Sequence, residues 1–153
     1  MVDLESKAWS SIEAHALSDY PDECCGLVLR DAGGDASVVP CENIQDKLRA
    51  RAPEEHPRTA RTAYRMDGLQ VAKTLQTAEE AGGGLFAIYH SHINCDAYFS
   101  YEDQAAAKFF GEPAYPGVPY LVISVIEEKI ENRKAFCWSD NSSQFEEVPF
   151  FIA

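Results

Sequence analysis

The sequence predicts an α/β (α+β) domain built on a mixed sheet. Two observations carry this class. Stretches with helical spacing of apolar residues alternate along the chain with short apolar runs rich in Val, Ile and aromatic residues. Several neighbouring apolar runs are also separated only by turn residues, which makes hairpins rather than the crossovers of a purely parallel sheet. Length and composition agree: 153 residues make one ordinary domain, expected to span 1–153. A hydrophobic fraction of 46% and a charged fraction of 25% are those of a soluble globular chain.

The elements follow in order. Leu4, Ala8, Ile12 and Ala16 recur at the spacing of one helix face. Pro21 ends that helix, because it biases Tyr20 away from helical geometry. Gly26 to Arg30 and Ser37 to Cys41 are read as the strands of a hairpin closed by the Asp31-Ala32-Gly33-Gly34-Asp35 turn. Residues 43–62 are polar and hold two prolines, which predicts a long surface loop of a kind that often carries function. A second helix is expected from about Asp67 to Ala81, N-capped by Asp67, striped by Leu69, Ala72, Leu75 and Ala78, and stopped by Gly82-Gly83-Gly84. Leu85 to His90 is a buried strand, Tyr101 to Phe110 a third helix, and Tyr120 to Ile126 a strand rich in Val and Ile. Lys134 to Trp138 and Val148 to Ile152 complete the expected strands. Trp9, Phe109, Phe110 and Trp138 are read as core or interface aromatics, and His15 and His56 as solvated or helix-surface residues.

Charge and composition exclude several classes. Acids outnumber bases 25 to 13, a net charge of −12, which repels phosphate backbones and anionic lipids. Neither a nucleic-acid nor a membrane partner is expected. No apolar run approaches the length of a membrane helix. The Met1-Val2-Asp3-Leu4-Glu5 start lacks the basic and apolar regions of a signal peptide, so a cytoplasmic location is expected. The odd set of Cys24, Cys25, Cys41, Cys95 and Cys137, with no C-x-x-C, is neither a disulfide framework nor a zinc ribbon and fits reduced thiols. Gly82-Gly83-Gly84 follows a helix and opens a strand, the reverse of a dinucleotide fingerprint. Walker A, G-x-S-x-G and H-E-x-x-H sequences are absent.

One motif stands. The segment from His90 to Asp103 reads H-S-H-x7-S-x2-D. His90 and His92 lie at a strand end, where period-two alternation turns both imidazoles to one face. A loop leads to a helix starting at Ser100, with Asp103 in its first turn and free to swing back toward the histidines. Two histidines and a carboxylate, with a fourth position open to water, make the ligand set of a catalytic zinc site. Each part also has an ordinary use. H-x-H occurs on edge strands, and Ser100-x-x-Asp103 is close to a helix capping box. Capping and ligation are compatible.

The pattern resembles the JAMM motif of the MPN+ metalloproteases, the class that contains the zinc-dependent deubiquitinases. That family adds a glutamate just before an apolar strand, and Pro21-Asp22-Glu23-Cys24-Cys25-Gly26-Leu27-Val28-Leu29 looks like its short prokaryotic form. The resemblance runs from the first helix to about Trp138 and implies the JAMM core, a curved mixed β-sheet flanked by helices. It implies Zn2+ held by His90, His92 and Asp103, Glu23 as the acid–base that takes the water's proton and returns it to the leaving amine, and Ser100 as donor to the oxyanion. Asp22 is the competing base if the register slips. Ile93 stands where many relatives have proline, which bears on the rigidity of the 94–99 loop and removes no ligand. Cys95 is either an inhibitory fourth ligand or a loop residue without a role.

Such a protein is expected to cut a peptide or isopeptide bond after the C-terminal Gly-Gly tail of a small ubiquitin-fold or sulfur-carrier protein. Residues 43–62 and 94–99 are the expected recognition loops. The rivals are a non-catalytic MPN scaffold and a JAMM peptidase acting in phage tails or on cell-wall peptides.

Overall fold

The computed structural model describes residues 1–153. Its elements are β1 (Val2–Leu4), α1 (Ser6–Asp19), β2 (Cys25–Arg30), β3 (Ala36–Cys41), α2 (Gln45–Arg51), α3 (Gly68–Glu80), β4 (Gly84–Ile93), α4 (Tyr101–Ala106), β5 (Lys108–Phe109), β6 (Glu112–Pro113), β7 (Tyr120–Ile126), β8 (Lys129–Ser139), β9 (Gln144–Val148) and β10 (Phe150–Ile152). Six strands form the main sheet in the order β3-β2-β4-β7-β8-β9. Every neighbouring pair is antiparallel except β4 and β7, which run parallel. A parallel pair needs a crossover, and residues 94–119 supply it, carrying α4 and the β5-β6 ribbon. The mixed α+β class is therefore the one the sequence predicts.

Both faces of the sheet are covered. Alternation along the strands sends Val28, Ala87, Tyr89, Leu121 and Ile123 to the α1 side, where Trp9, Ile12 and Ala16 meet them. It sends Leu27, Ile88, Tyr120 and Val122 to the other side, under Val71 of α3 and Phe99. This two-sided burial explains why Tyr120–Ile126 is apolar throughout rather than alternating. His90 and His92 continue the Ile88 row, so they face the α3 side.

Several boundaries differ from the sequence expectation, each for a physical reason. Leu4 belongs to β1, which pairs in parallel with β10, so α1 starts only at Ser6. The 43–62 segment is not all loop: α2 spans Gln45–Arg51, pinned where the Asn43 side chain accepts from the Gln45 N–H at 3.1 Å. The α3 N-cap is Asp67, whose carboxylate accepts from the Leu69 and Gln70 N–H groups. Its buried stripe passes through Val71 rather than Leu69, which is 65% exposed. The helix expected over 101–110 stops at Ala106, because Phe110 and Gly111 take positive φ (52° and 78°) and turn the chain into the β5-β6 ribbon. Phe109 and Phe110 are consequently exposed rather than core residues. The last expected strand is divided at Pro149 into β9 and β10. His15 is not merely solvated: its Nδ1 lies 2.7 Å from the Tyr89 hydroxyl and its Nε2 lies 3.2 Å from Asp19.

Candidate active site

β4 runs to Ile93, so both histidines sit within its regular ladder. His90 is fully buried, and Tyr64 stacks on its ring at 4.4 Å between centroids. Its Nε2 lies 3.1 Å from Asp103 Oδ2 without the alignment of a hydrogen bond, and both ring nitrogens lack a hydrogen-bond partner. Buried polar atoms left in this state are rare and call for an explanation such as a role in holding an ion. His92 is held differently. Its Nδ1 donates to the Asp96 carbonyl at 2.9 Å, which orients the ring, and its Nε2 is hydrogen-bonded to Asp103 Oδ2 at 3.1 Å, so Nε2 is the ring atom turned toward the carboxylate.

Asp103 comes from the first turn of α4. Ser100 Oγ accepts from the Asp103 N–H, and the Ser100 N–H donates to Asp103 Oδ2, both at 3.0 Å. The capping box is thus formed, and it aims the carboxylate at the histidines. Ligand atoms of His90, His92 and Asp103 all lie within 4.8 Å of one another. Two imidazoles, one of them orphaned and buried, and a carboxylate fit a divalent metal with nitrogen and oxygen preferences. Burial raises the Asp103 carboxyl, but the two histidines outweigh it and hold the group well below the usual carboxylate range.

Glu23 arrives on the segment preceding β2. Cys25 pairs with His90 in the β2–β4 register. Ser91, which alternation turns away from the histidine face, accepts from the Cys24 N–H at 2.7 Å through its Oγ. The Glu23 N–H donates to the Ala60 carbonyl at 2.8 Å, and the Glu23 carbonyl accepts from Asn43 Nδ2 at 3.0 Å. Burial pushes its carboxyl up to about 9; the charge of Asp103 adds to this and the Arg58 guanidinium opposes it.

These groups meet in a cleft of about 170 Å³, lined by Glu23, His92, Ser100 and Asp103, with Arg58, Arg61, Cys95 and Tyr98 around them. Asp22 is not among its lining residues and opens on a neighbouring acidic depression. Cys95 is exposed at the cleft wall, outside the converging trio, and burial raises its thiol first, before nearby acids add to the effect. The 94–99 loop is fastened without a proline. The Asn94 N–H donates to the Val125 carbonyl at 2.7 Å, and the Ser124 hydroxyl donates to the Cys95 carbonyl. Ser91, Asn43 and Tyr64 are supporting residues that the sequence does not reveal. Ser91 alone carries a signal, as the residue between the histidines that must face the opposite way.

A mixed sheet that presents a histidine pair to a carboxylate on the following helix, close enough together that the three could hold a metal ion, is the arrangement of a JAB/MPN-type domain. The chain belongs to the prokaryotic homologs of the JAB domain, whose family model matches residues 5–139. It is 31% identical over 115 residues to the CysO-cysteine peptidase of Mycobacterium tuberculosis, covering 75% of this chain and 67% of that protein. It is 29% identical over 102 residues to the tail tip assembly protein K of Escherichia phage N15, covering 67% of this chain but 35% of that protein. The solution structure of a protein from Desulfitobacterium hafniense matches the whole chain and 93% of its own, with a TM-score of 0.71 and 23% identity. One from Salinibacter ruber matches with a TM-score of 0.62 at 25% identity, covering 100% of this chain and 92% of its own.

Proposed function

We propose that the protein is a zinc-dependent peptidase that hydrolyses the bond after the C-terminal Gly-Gly tail of a small ubiquitin-fold or sulfur-carrier protein. The observation that carries this reading is the buried His90 imidazole with no hydrogen-bond partner, set against His92 and Asp103 in the cleft that Glu23 enters. Likeness to a CysO-cysteine peptidase supports the substrate class. His90, His92 and Asp103 would hold the zinc, which when bound supplies Lewis acidity and brings the ionisation of water toward neutral pH.

The chain's own residues supply the rest. Glu23 takes the proton of the attacking water and delivers it to the leaving amine nitrogen. Its carboxyl is buried, so it favours holding a proton; a cation at the ligand trio would draw it back toward the ionised form. Ser100 Oγ accepts from the Asp103 N–H, which leaves its own proton free to donate to the developing oxyanion. Two glycines suit the tail because a backbone drawn close to the trio leaves no room for side chains.

The test is incubation of the zinc-loaded protein with carrier proteins extended beyond Gly-Gly, read by mass spectrometry. Cleavage after the second glycine, lost on chelation and in Glu23→Gln, is expected. Equal cleavage of Gly-Gly and Leu-Leu tails would overturn the substrate assignment. A second reading is a JAMM peptidase of other specificity, working in phage tails or on cell-wall peptides; the likeness to a phage tail tip assembly protein favours its phage-tail form. It predicts cleavage of short cell-wall peptides in place of carrier tails.

A further inference from the structure

One side chain outside the cleft ties two of its groups together. The Asn43 amide sits between the end of β3 and the start of α2. Its Nδ2 donates to the Glu23 carbonyl at 3.0 Å and to the Ala63 carbonyl at 3.1 Å. Its Oδ1 accepts from the Gln45 and Arg65 N–H groups, both at 3.1 Å. Two donors and two lone pairs are the full capacity of a side-chain amide, so every position is used. The Ile44 N–H adds a bond to the Arg65 carbonyl at 2.9 Å. Asn43 therefore grips the backbone of Glu23 with one bond and the backbone on both sides of Tyr64 with two others.

Tyr64 in turn governs His90. Neither ring nitrogen of His90 has a hydrogen-bond partner, whereas the Asp96 carbonyl orients His92. The torsion that turns an imidazole about its Cβ–Cγ bond has broad wells, so the side chain alone does not set its ring plane. Tyr64 lies against that plane, 4.4 Å away between centroids and 24° from parallel. Phe99 is more distant and more tilted, at 6.4 Å and 46°. Turning the His90 ring would break the stack on Tyr64. The nitrogen lone pairs lie in the ring plane, so this plane decides where His90 aims its ligand atom. A hydrogen bond from behind usually orients a ligating histidine. At His90 an aromatic face takes that place.

We propose that Asn43 is a positioning residue for the peptidase site, setting the backbone of Glu23 with the same amide that, through Tyr64, sets the ring plane of His90. It touches neither substrate nor metal, and its role rests on the peptidase reading above. The acid–base group and one ligand come from different elements, yet both depend on this one side chain.

The parent is compared with Asn43→Ala, Tyr64→Phe, Tyr64→Leu and the double variant Asn43→Ala/Tyr64→Leu, with folding checked by circular dichroism. Zinc affinity is read by competition with a chelator, and ligand geometry by the visible absorption of the cobalt(II)-loaded protein. Turnover of a carrier extended beyond Gly-Gly is measured at saturating zinc. Asn43→Ala and Tyr64→Leu should each weaken zinc ~10- to 100-fold and shift the cobalt bands. Tyr64→Phe keeps the ring and should match the parent in both. The double variant should bind zinc no more weakly than Tyr64→Leu, because both changes act through one stack. Asn43→Ala should also lower kcat with little change in KM, since Glu23 is displaced. A merely structural role would lower the unfolding midpoint alone, and parent-like zinc affinity and cobalt bands in folded Asn43→Ala overturn the link to His90. Should Asn43→Ala not fold, Tyr64→Leu binding zinc as tightly as Tyr64→Phe overturns that link. Losses that add in full in the double variant overturn the route through Tyr64. An unchanged kcat overturns the link to Glu23. A parent that binds zinc but cleaves no carrier overturns the peptidase reading and the Glu23 link with it, while the zinc and cobalt readings still decide the His90 link.

Discussion

Replacing Glu23 by glutamine is expected to separate stability from activity. In the metal-free protein the folded carboxyl holds its proton up to about pH 9, whereas the unfolded one loses it near 4.5. The folded state therefore binds more protons than the unfolded state across that window, and stability must fall as pH rises through it. From 4.5 to 7, at ~1.36 kcal/mol per pH unit, the cost to the fold is about 3 kcal/mol. Glutamine has nearly the same shape and no ionisation, so Glu23→Gln should be more stable than the parent by up to about 3 kcal/mol at pH 7 after chelation. The advantage should vanish near pH 4.5. Urea denaturation of both metal-free proteins at pH 4.5, 7 and 8 measures it. The same substitution should lower turnover ~10²- to 10⁴-fold, because an amide cannot accept the water's proton. A stability difference independent of pH, or a variant less stable than the parent at pH 8, would refute the reasoning about a protonated buried carboxyl.

Other perturbations test the scaffold. His92→Ala should lose stoichiometric zinc in elemental analysis, and a variant that binds as much as the parent would remove His92 from the ligand set. Ser91→Ala leaves the buried Cys24 N–H without its acceptor, so a loss of about 1–3 kcal/mol in urea denaturation is expected, with a fall in activity because Glu23 is adjacent. Gly26→Ala would set a Cβ 2.3 Å from the Tyr89 hydroxyl oxygen and 2.4 Å from its ring, within the core. Overpacking of that kind costs about 1–3 kcal/mol, and a midpoint equal to the parent's would show that Tyr89 can yield.

The part of the site that is compact in sequence is legible from the residues alone. His90, His92, Ser100 and Asp103 lie in one strand–loop–helix unit, and period-two alternation with a capping box suffices to bring them together. Glu23 is reachable only through family resemblance, because its nearness depends on the β2–β4 register and on Asn43 and Ala60 from a distant loop. Local patterns cannot encode such pairings. Arg58 likewise enters the cleft from a segment that composition marks only as polar. The helix α2 is hidden because Gln-Asp-Lys-Leu-Arg-Ala-Arg holds a single large apolar residue, Leu48, so it lacks the stripe by which amphipathic helices are found. The third helix is overextended for the opposite reason. Phe109 and Phe110 look like a helix face, yet they project from a ribbon into solvent.

The H-S-H sequence can be understood as one strand doing two jobs on two faces. The histidines point to the trio side, while Ser91 points to the α1 side and captures the Cys24 N–H. Cys25 is opposite His90 in the same ladder, so the residue two before it lies just past the strand end, beside the cleft. A slip of one residue would send every side chain of β2 to the wrong face. It would exchange buried Leu27 and Val28 between the two cores, and the Ser91 contact and the Tyr89–Gly26 approach would both be lost. The energetic penalty that fixes the core register therefore also decides which acid enters the cleft. This gives a physical ground for preferring Glu23 over Asp22 that is independent of family resemblance. The choice follows from the packing of Gly26, Leu27 and Val28 and would hold even if neither acid touched a substrate.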